Sequence, residues 1–320
     1  MQKSNQLFLA FLTIAIFITY TSIAKQRPEG GWLWKISGNG LSHPSYLFGT
    51  YHGTYDILYQ YTDSIPELHQ AFNACSQFAG ESETTSKPTP AQVGAAIKLP
   101  KDTTYADLLN KEDFHFLDSI VRQSLKSPLN KVYIKPNFLA LILGEIEKGK
   151  KLVDTGYSQS RIDSMKSQVM DIALEKKAKE KGLTIVGLEG IFDAFVSEKS
   201  NLKKEADELI SDLREDDEIS PLSFVNTLSD VYRTQNMKSL INFEVKVDSI
   251  FRTSPKLTEI GKRIREDLLK RRNLNWMNKI PELMKAQPTF IAVGVRHLPG
   301  KDGLIALLLE KGYQVEPIGL

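Results

Sequence analysis

Four short apolar runs, each closed by a glycine and then a histidine or a glutamate, constrain this chain more than any other feature. They are Tyr46-Leu47-Phe48-Gly49-Thr50-Tyr51-His52, Phe78-Ala79-Gly80-Glu81, Ile185-Val186-Gly187-Leu188-Glu189 and Ile291-Ala292-Val293-Gly294-Val295-Arg296-His297. Continuous apolar runs of this length mark strands covered on both faces, which is the habit of parallel sheets. In open α/β sheets, ligands lie beyond the carboxyl ends of the strands. If the four strands run parallel, His52, Glu81, Glu189 and His297 meet along one rim, and the glycines give the backbone room to turn there.

The remaining pattern fits around that sheet. Trp32–Ser37 and Tyr46–Thr50 read as strands joined through Gly38-Asn39-Gly40, a hairpin signal. Helical patterns cover Asp56–Cys75, Lys111–Lys126, Pro136–Gly149, Gln168–Lys181 and Asp302–Lys311, and Tyr313–Ile318 is a closing strand. Ser82–Pro100 is rich in Ser, Thr and Pro and reads as a loop, Leu183–Leu188 as a buried strand. The polar stretch 197–284 lacks strand signals and reads as a helical insertion that caps the strand ends. Helices and strands alternate at both ends of the chain. The expected fold is therefore α/β, a mixed central sheet flanked by helices, formed by a single domain over residues 25–320.

Residues 1–24 stand apart. Lys3 precedes an uncharged run, Leu7–Ile23, that ends in Ser22-Ile23-Ala24, the layout of a secretory signal with cleavage after Ala24. This predicts export to a bacterial periplasm or envelope, or secretion, with membrane contact only through the leader if it stays attached. The 320 residues carry a formal net charge of +2 and no long basic run, which argues against nucleic acid as partner. A single cysteine, Cys75, leaves no intrachain disulfide and no Cys-rich metal site, and it reads as a small core residue. Nothing in the sequence specifies an oligomeric state.

Any metal must then be held by histidines and carboxylates. Random placement of 20 Gly and 5 His gives about 0.3 Gly-x-x-His motifs, yet three occur, at His43, His52 and His297. His43 falls in the hairpin turn; the other two follow strands. Two neutral imidazoles with one or two carboxylates suit Mn, Co, Fe or Zn; on position alone, histidines that bond a loop carbonyl fit equally well. The chain has no Gly-x-Ser-x-Gly elbow, no His-Glu-x-x-His and no strand followed by Gly-x-Gly-x-x-Gly, which disfavours that type of serine hydrolase, the familiar zinc-protease helix and a dinucleotide site. One helix carries an anomaly: Arg272 lies on the apolar stripe of Ile264, Leu268, Trp276 and Ile280, with Asn273 beside it. A charge on that face needs a partner, either a helix neighbour such as Glu266 or Asp267, or a carboxylate at the strand rim.

These pieces, in this order, resemble the TraB/GumN family, whose animal relatives include the Tiki metalloproteases. The resemblance rests on Gly49-Thr50-Tyr51-His52-Gly53, Ala79-Gly80-Glu81, the run from Met170-Asp171 through Gly187-Leu188-Glu189-Gly190, Arg272-Asn273 with Trp276, and Gly294-Val295-Arg296-His297 with the glycines that follow. It implies an α/β fold with a helical insertion and, in the Tiki branch, metal-dependent cleavage near peptide amino termini with Mn or Co. The expected function is an exported metal-dependent hydrolase, a peptidase acting on peptide or protein substrates. His52, Glu81 and His297 would hold the metal, Mn or Co before Zn or Fe. Glu189 would be a further ligand or the general base, and Arg272 and Asn273 would orient substrate or steady an oxyanion. The alternative is a binding or signalling-inhibitor protein that holds a peptide, haem or other ligand in the same cleft without turning it over.

Overall fold

The computed structural model describes residues 30–51, 66–83, 88–154, 156, 158, 160, 170–193, 201–214 and 228–319. The leader reading and His52 lie outside these residues. The strands are β1 (Leu33–Gly38), β2 (Ser45–Thr50), β3 (Gln77–Gly80), β4 (Thr184–Gly187), β5 (Thr289–Gly294) and β6 (Tyr313–Pro317), in one six-stranded sheet of order β4-β3-β5-β2-β1-β6. β4, β3, β5 and β2 are mutually parallel, whereas β1 runs antiparallel to both β2 and β6. The mixed α/β fold read from the sequence is the observed one. The helices that matter below are α1 (Pro66–Asn73), α2 (Pro90–Ile97), α3 (Lys111–Leu125), α4 (Pro136–Asp154), α5 (Met170–Glu180), α6 (Leu202–Arg214), α7 (Met237–Phe251), α8 (Pro255–Arg263), α9 (Arg271–Trp276), α10 (Ile280–Ala286) and α11 (Leu304–Glu310). Among the described residues no helix is long and apolar enough to cross a membrane.

Apolar strands build the main core. β3 is buried along its whole length and β5 along all but its last residue. Phe72 of α1 packs edge-on against Phe290 of β5, which stacks in turn on Phe78 of β3. Cys75 is buried there, as expected, and burial pushes its thiol up to about 12.

Four elements depart from the sequence reading. The Ser82–Pro100 stretch is not all loop, because α2 forms in it: Thr89 caps the helix through a reciprocal capping box with Gln92, and Pro90 occupies its first turn. Gly149 does not stop α4, which continues to Asp154. β4 is an edge strand and only partly buried, since one of its sides has no neighbouring strand to cover it. Finally, Ile264–Lys270 is a π-helix. Its wider turn breaks the expected stripe, leaving Leu268 38% exposed while Arg272, Trp276 and Ile280 are buried.

The helices of the 197–284 stretch serve two cores. Leu209 and Ile210 of α6 join Leu117 and Val121 of α3 and Leu139 and Leu143 of α4 in a helical cluster away from the sheet. Tyr232, Phe243 of α7, Trp276 and Met284 of α10 belong to the sheet core. Tyr232 ties this later part to β2: its ring stacks between Trp32 and Tyr51, and its hydroxyl donates to the Gly49 carbonyl at 2.7 Å.

Gly49 is needed for close approach. A Cβ there would lie 2.8 Å from Val295 Cγ2 and 3.1 Å from Leu298 Cδ2, in the turn that carries His297. Gly49→Ala is expected to lower the unfolding free energy by about 1–3 kcal/mol through overpacking, read from urea unfolding; an unchanged midpoint would refute the packing argument. The thiol of Cys75 is expected to resist Ellman's reagent in the native protein near pH 8 and to react once the chain is denatured.

Candidate functional site

The carboxyl ends of β3, β4 and β5 bring three of the expected residues together. The β3–β4 ladder continues past the strands, with Leu188 N donating to Gly80 O and Glu189 N to Glu81 O, both at 2.9 Å. Glu81 and Glu189 therefore leave the sheet side by side. Gly187 makes this possible, since a Cβ there would sit 2.9 Å from Glu83 N and 3.0 Å from Glu189 O. From β5, Gly294 N donates to Glu81 Oε1 at 2.7 Å, and the following 3₁₀ turn, Val295–His297, buries the imidazole of His297.

Arg272 enters from α9, above the rim. Its helix neighbours are engaged elsewhere: Glu266 pairs with Lys270, and Asp267 lies 3.8 Å from Arg271. Arg272 turns inward, and all five of its N–H groups find acceptors. Nε donates to Glu189 Oε1 at 2.9 Å and more weakly to Oε2 at 3.2 Å. Nη2 donates to Glu81 Oε2 and to Glu189 Oε1, each at 2.5 Å. Nη1 faces the Leu268 carbonyl at 3.4 Å, within the π-turn, and His297 Nε2 at 3.3 Å. Burial works against the charge of Arg272, but its hydrogen bonds to Glu189 and the charges of Glu81 and Glu189 outweigh it and raise its pKa above the usual guanidinium value.

Asn273 fixes the imidazole. Its amide nitrogen donates to His297 O at 3.2 Å and to Asp302 O at 2.8 Å, so its Oδ1 is the acceptor toward His297 Nδ1 at 2.7 Å. With Nδ1 donating to Asn273, Nε2 is the nitrogen that faces Arg272 Nη1, and Glu81 Oε1 lies 3.8 Å from it. The amide of Asn273 is fully committed to the His297 loop. In this arrangement the amide orients the histidine. Trp276 is a site residue that sequence reasoning left without a role. It donates from Nε1 to Glu189 Oε2 at 3.0 Å, and its ring lies under the Arg272 guanidinium and against His297. Its i+4 spacing from Arg272 was the available signal.

Among the described residues, two carboxylates of the cluster, Glu81 and Glu189, face one guanidinium. Among the described residues, no three His, Cys, Asp or Glu side chains are grouped to hold a metal ion. Glu189 is occupied by Arg272 and Trp276; Glu81 Oε1 and His297 Nε2 lie 3.8 Å apart, and a cation shared between them would have to displace the 3.3 Å contact of Arg272 Nη1 with Nε2. The donor chemistry thus fits half of a His/carboxylate site, and His52, the other expected imidazole, lies outside the described residues.

The sequence profile of the TraB/PrgY/gumN family matches residues 32–317, a span that includes every strand and every side chain of this cluster. The chain belongs to the TraB/PrgY/gumN family. No curated protein and no solved structure matches it. Within this TraB/PrgY/gumN domain, the stability of the cluster just described should depend on Arg272. Arg272→Met is expected to cost about 3 kcal/mol, because it strands two adjacent carboxylates. Arg271→Met, removing a loose pair at the surface, should cost less than about 0.5 kcal/mol. Denaturant unfolding of the two variants checks this; equal losses would show that the network does not hold the rim.

Proposed function

We propose that the strand-end cleft is a hydrolytic centre that works with a divalent cation on peptide or protein substrates, and that the protein acts outside the cytoplasm. The observation that carries this reading is the meeting of two carboxylates with one guanidinium at the ends of parallel strands: Glu81 and Glu189 against Arg272, beside the imidazole that Asn273 holds. Glu81 and His297, with His52, would hold the cation; Mn or Co suits this set of imidazole and carboxylate, with Zn or Fe next. Such an ion, when bound, polarises a carbonyl and lowers the pKa of a bound water. The resemblance to the Tiki branch supports a peptide bond as the target, and the Leu7–Ile23 run with its small-residue end supports export.

The residues of the chain have separable parts in this reading. Asn273 orients His297 so that Nε2 faces Arg272. Arg272 holds Glu81 and Glu189 in place and presents Nη1, whose two contacts are its longest, on the side of His297. That N–H is the donor best able to turn toward a substrate oxygen that gains negative charge. Glu189, with three donors on it, serves as the counter-ion that keeps Arg272 in the cleft.

One observation favours the second reading, a binding or signalling-inhibitor protein that uses the cleft for a peptide, haem or other ligand. Every guanidinium N–H already has an acceptor, so the ion-pair network is complete without turnover.

Elemental analysis and a peptide library scanned for cleavage near amino termini, with added Mn or Co, separate the two. The wild-type protein is expected to bind the ion and cleave; His52→Ala, His297→Ala and Glu81→Gln should each weaken ion binding at least about tenfold. Unchanged stoichiometry and affinity in all three would reject the assignment, and ligand binding without cleavage would establish the second reading.

A further inference from the structure

Trp276 touches three ionisable side chains of the cleft at once. Its indole N–H donates to Glu189 Oε2 at 3.0 Å, the Arg272 guanidinium carbon lies 4.7 Å from its ring centroid, and the His297 ring lies 4.5 Å away, centroid to centroid. The indole is fully buried. The chain has three tryptophans, and the other two spend their N–H on backbone carbonyls in the core, Trp32 on Tyr232 O and Trp34 on Gly31 O. Trp276 alone among them donates to an ionised side chain.

That difference has a geometric consequence. A carboxylate that meets a guanidinium can still swing about its last side-chain torsion, which is soft and has only broad minima. Glu189 is held at both ends: Arg272 Nε and Nη2 take Oε1, and the indole takes Oε2. Fixing the plane of Glu189 fixes the guanidinium that lies against it, and the ring face beneath Arg272 limits its remaining tilt. The direction of Nη1, which faces His297, follows from those two restraints.

We infer that Trp276 is a positioning residue: through its N–H to Glu189 and its ring face under Arg272, it sets the orientation of the guanidinium toward Glu81 and His297. Its consequence for turnover rests on the proposed hydrolytic reading; the positioning itself does not.

The test uses the ¹⁵N-labelled full chain. The Nε and Nη signals of Arg272, identified by their loss in Arg272→Lys, are expected to be resolved and slowly exchanging in the wild type. In Trp276→Phe, which keeps a ring and removes the donor, they should broaden or average, while the indole signals of Trp32 and Trp34 stay in place and report an intact core. Unchanged Arg272 signals in Trp276→Phe would overturn the inference. A second arm needs no change at Trp276: Glu189→Gln should move the Trp276 indole resonance and leave the other two where they are, and an unmoved Trp276 signal would also overturn it. Where the wild type cleaves peptides, Trp276→Phe should lower kcat by about tenfold, the order expected for a lost hydrogen bond to a charged group, with KM within about twofold. A wild type that cleaves nothing would remove the hydrolytic reading, and the Arg272 signals would still decide the positioning.

Discussion

The five-donor guanidinium of Arg272 is the interaction on which the rest of the cleft depends. The β3–β4 ladder forces Glu81 and Glu189 out of the sheet together, and two adjacent, mostly buried carboxylates repel each other. A lysine could not resolve this, because a compact ammonium lacks the planar fork that reaches both carboxylates and an imidazole at once. The pair is costly to bury and strongly destabilising to break, which is the usual balance of buried ion pairs. What the network adds is definition: it orients each polar group in the cleft relative to the others.

The sheet supplies the frame that makes one arginine sufficient. Three parallel strands deliver Glu81, Glu189 and His297 from adjacent ends, and Gly294 N anchors Glu81 directly to β5. Gly49 lets the His297 turn lie against β2, and Tyr232 ties the end of β2 to a helical segment nearly two hundred residues away. The π-turn before α9 has a matching role on the other side. The Leu268 carbonyl within it faces Nη1, and Arg272, Trp276 and Ile280 beyond it are buried.

Membership of the TraB/PrgY/gumN family is carried by the whole span from β1 to β6, not by a single motif. The chemistry of the cleft is narrower. Among the described residues two carboxylates meet one guanidinium there, Asn273 orients the imidazole, and the two N–H groups on Nη1 of Arg272 make its longest contacts.

The sequence by itself pointed to four strands of parallel type and to Glu81, Glu189 and His297 beyond the ends of three of them, because a continuous apolar run closed by glycine has few other uses in a chain of this composition. It also exposed Arg272 as a charge on an apolar face, and so as a residue in need of an acidic partner. It could not choose that partner: Glu266 and Asp267 were equally near along the helix, and only the packed structure shows them taken by Lys270 and Arg271. Nor could it foresee the π-turn, since the same residues satisfy an ordinary helical stripe. The capping box that starts α2 was written in Thr89 and Gln92 but masked by the polar composition around it. The commitment of Asn273 to the His297 loop, the grip of Trp276 on Glu189 and the exposure of β4 were decided by tertiary structure alone. Each depends on which groups meet across long separations in the chain, and local periodicity carries no information about that.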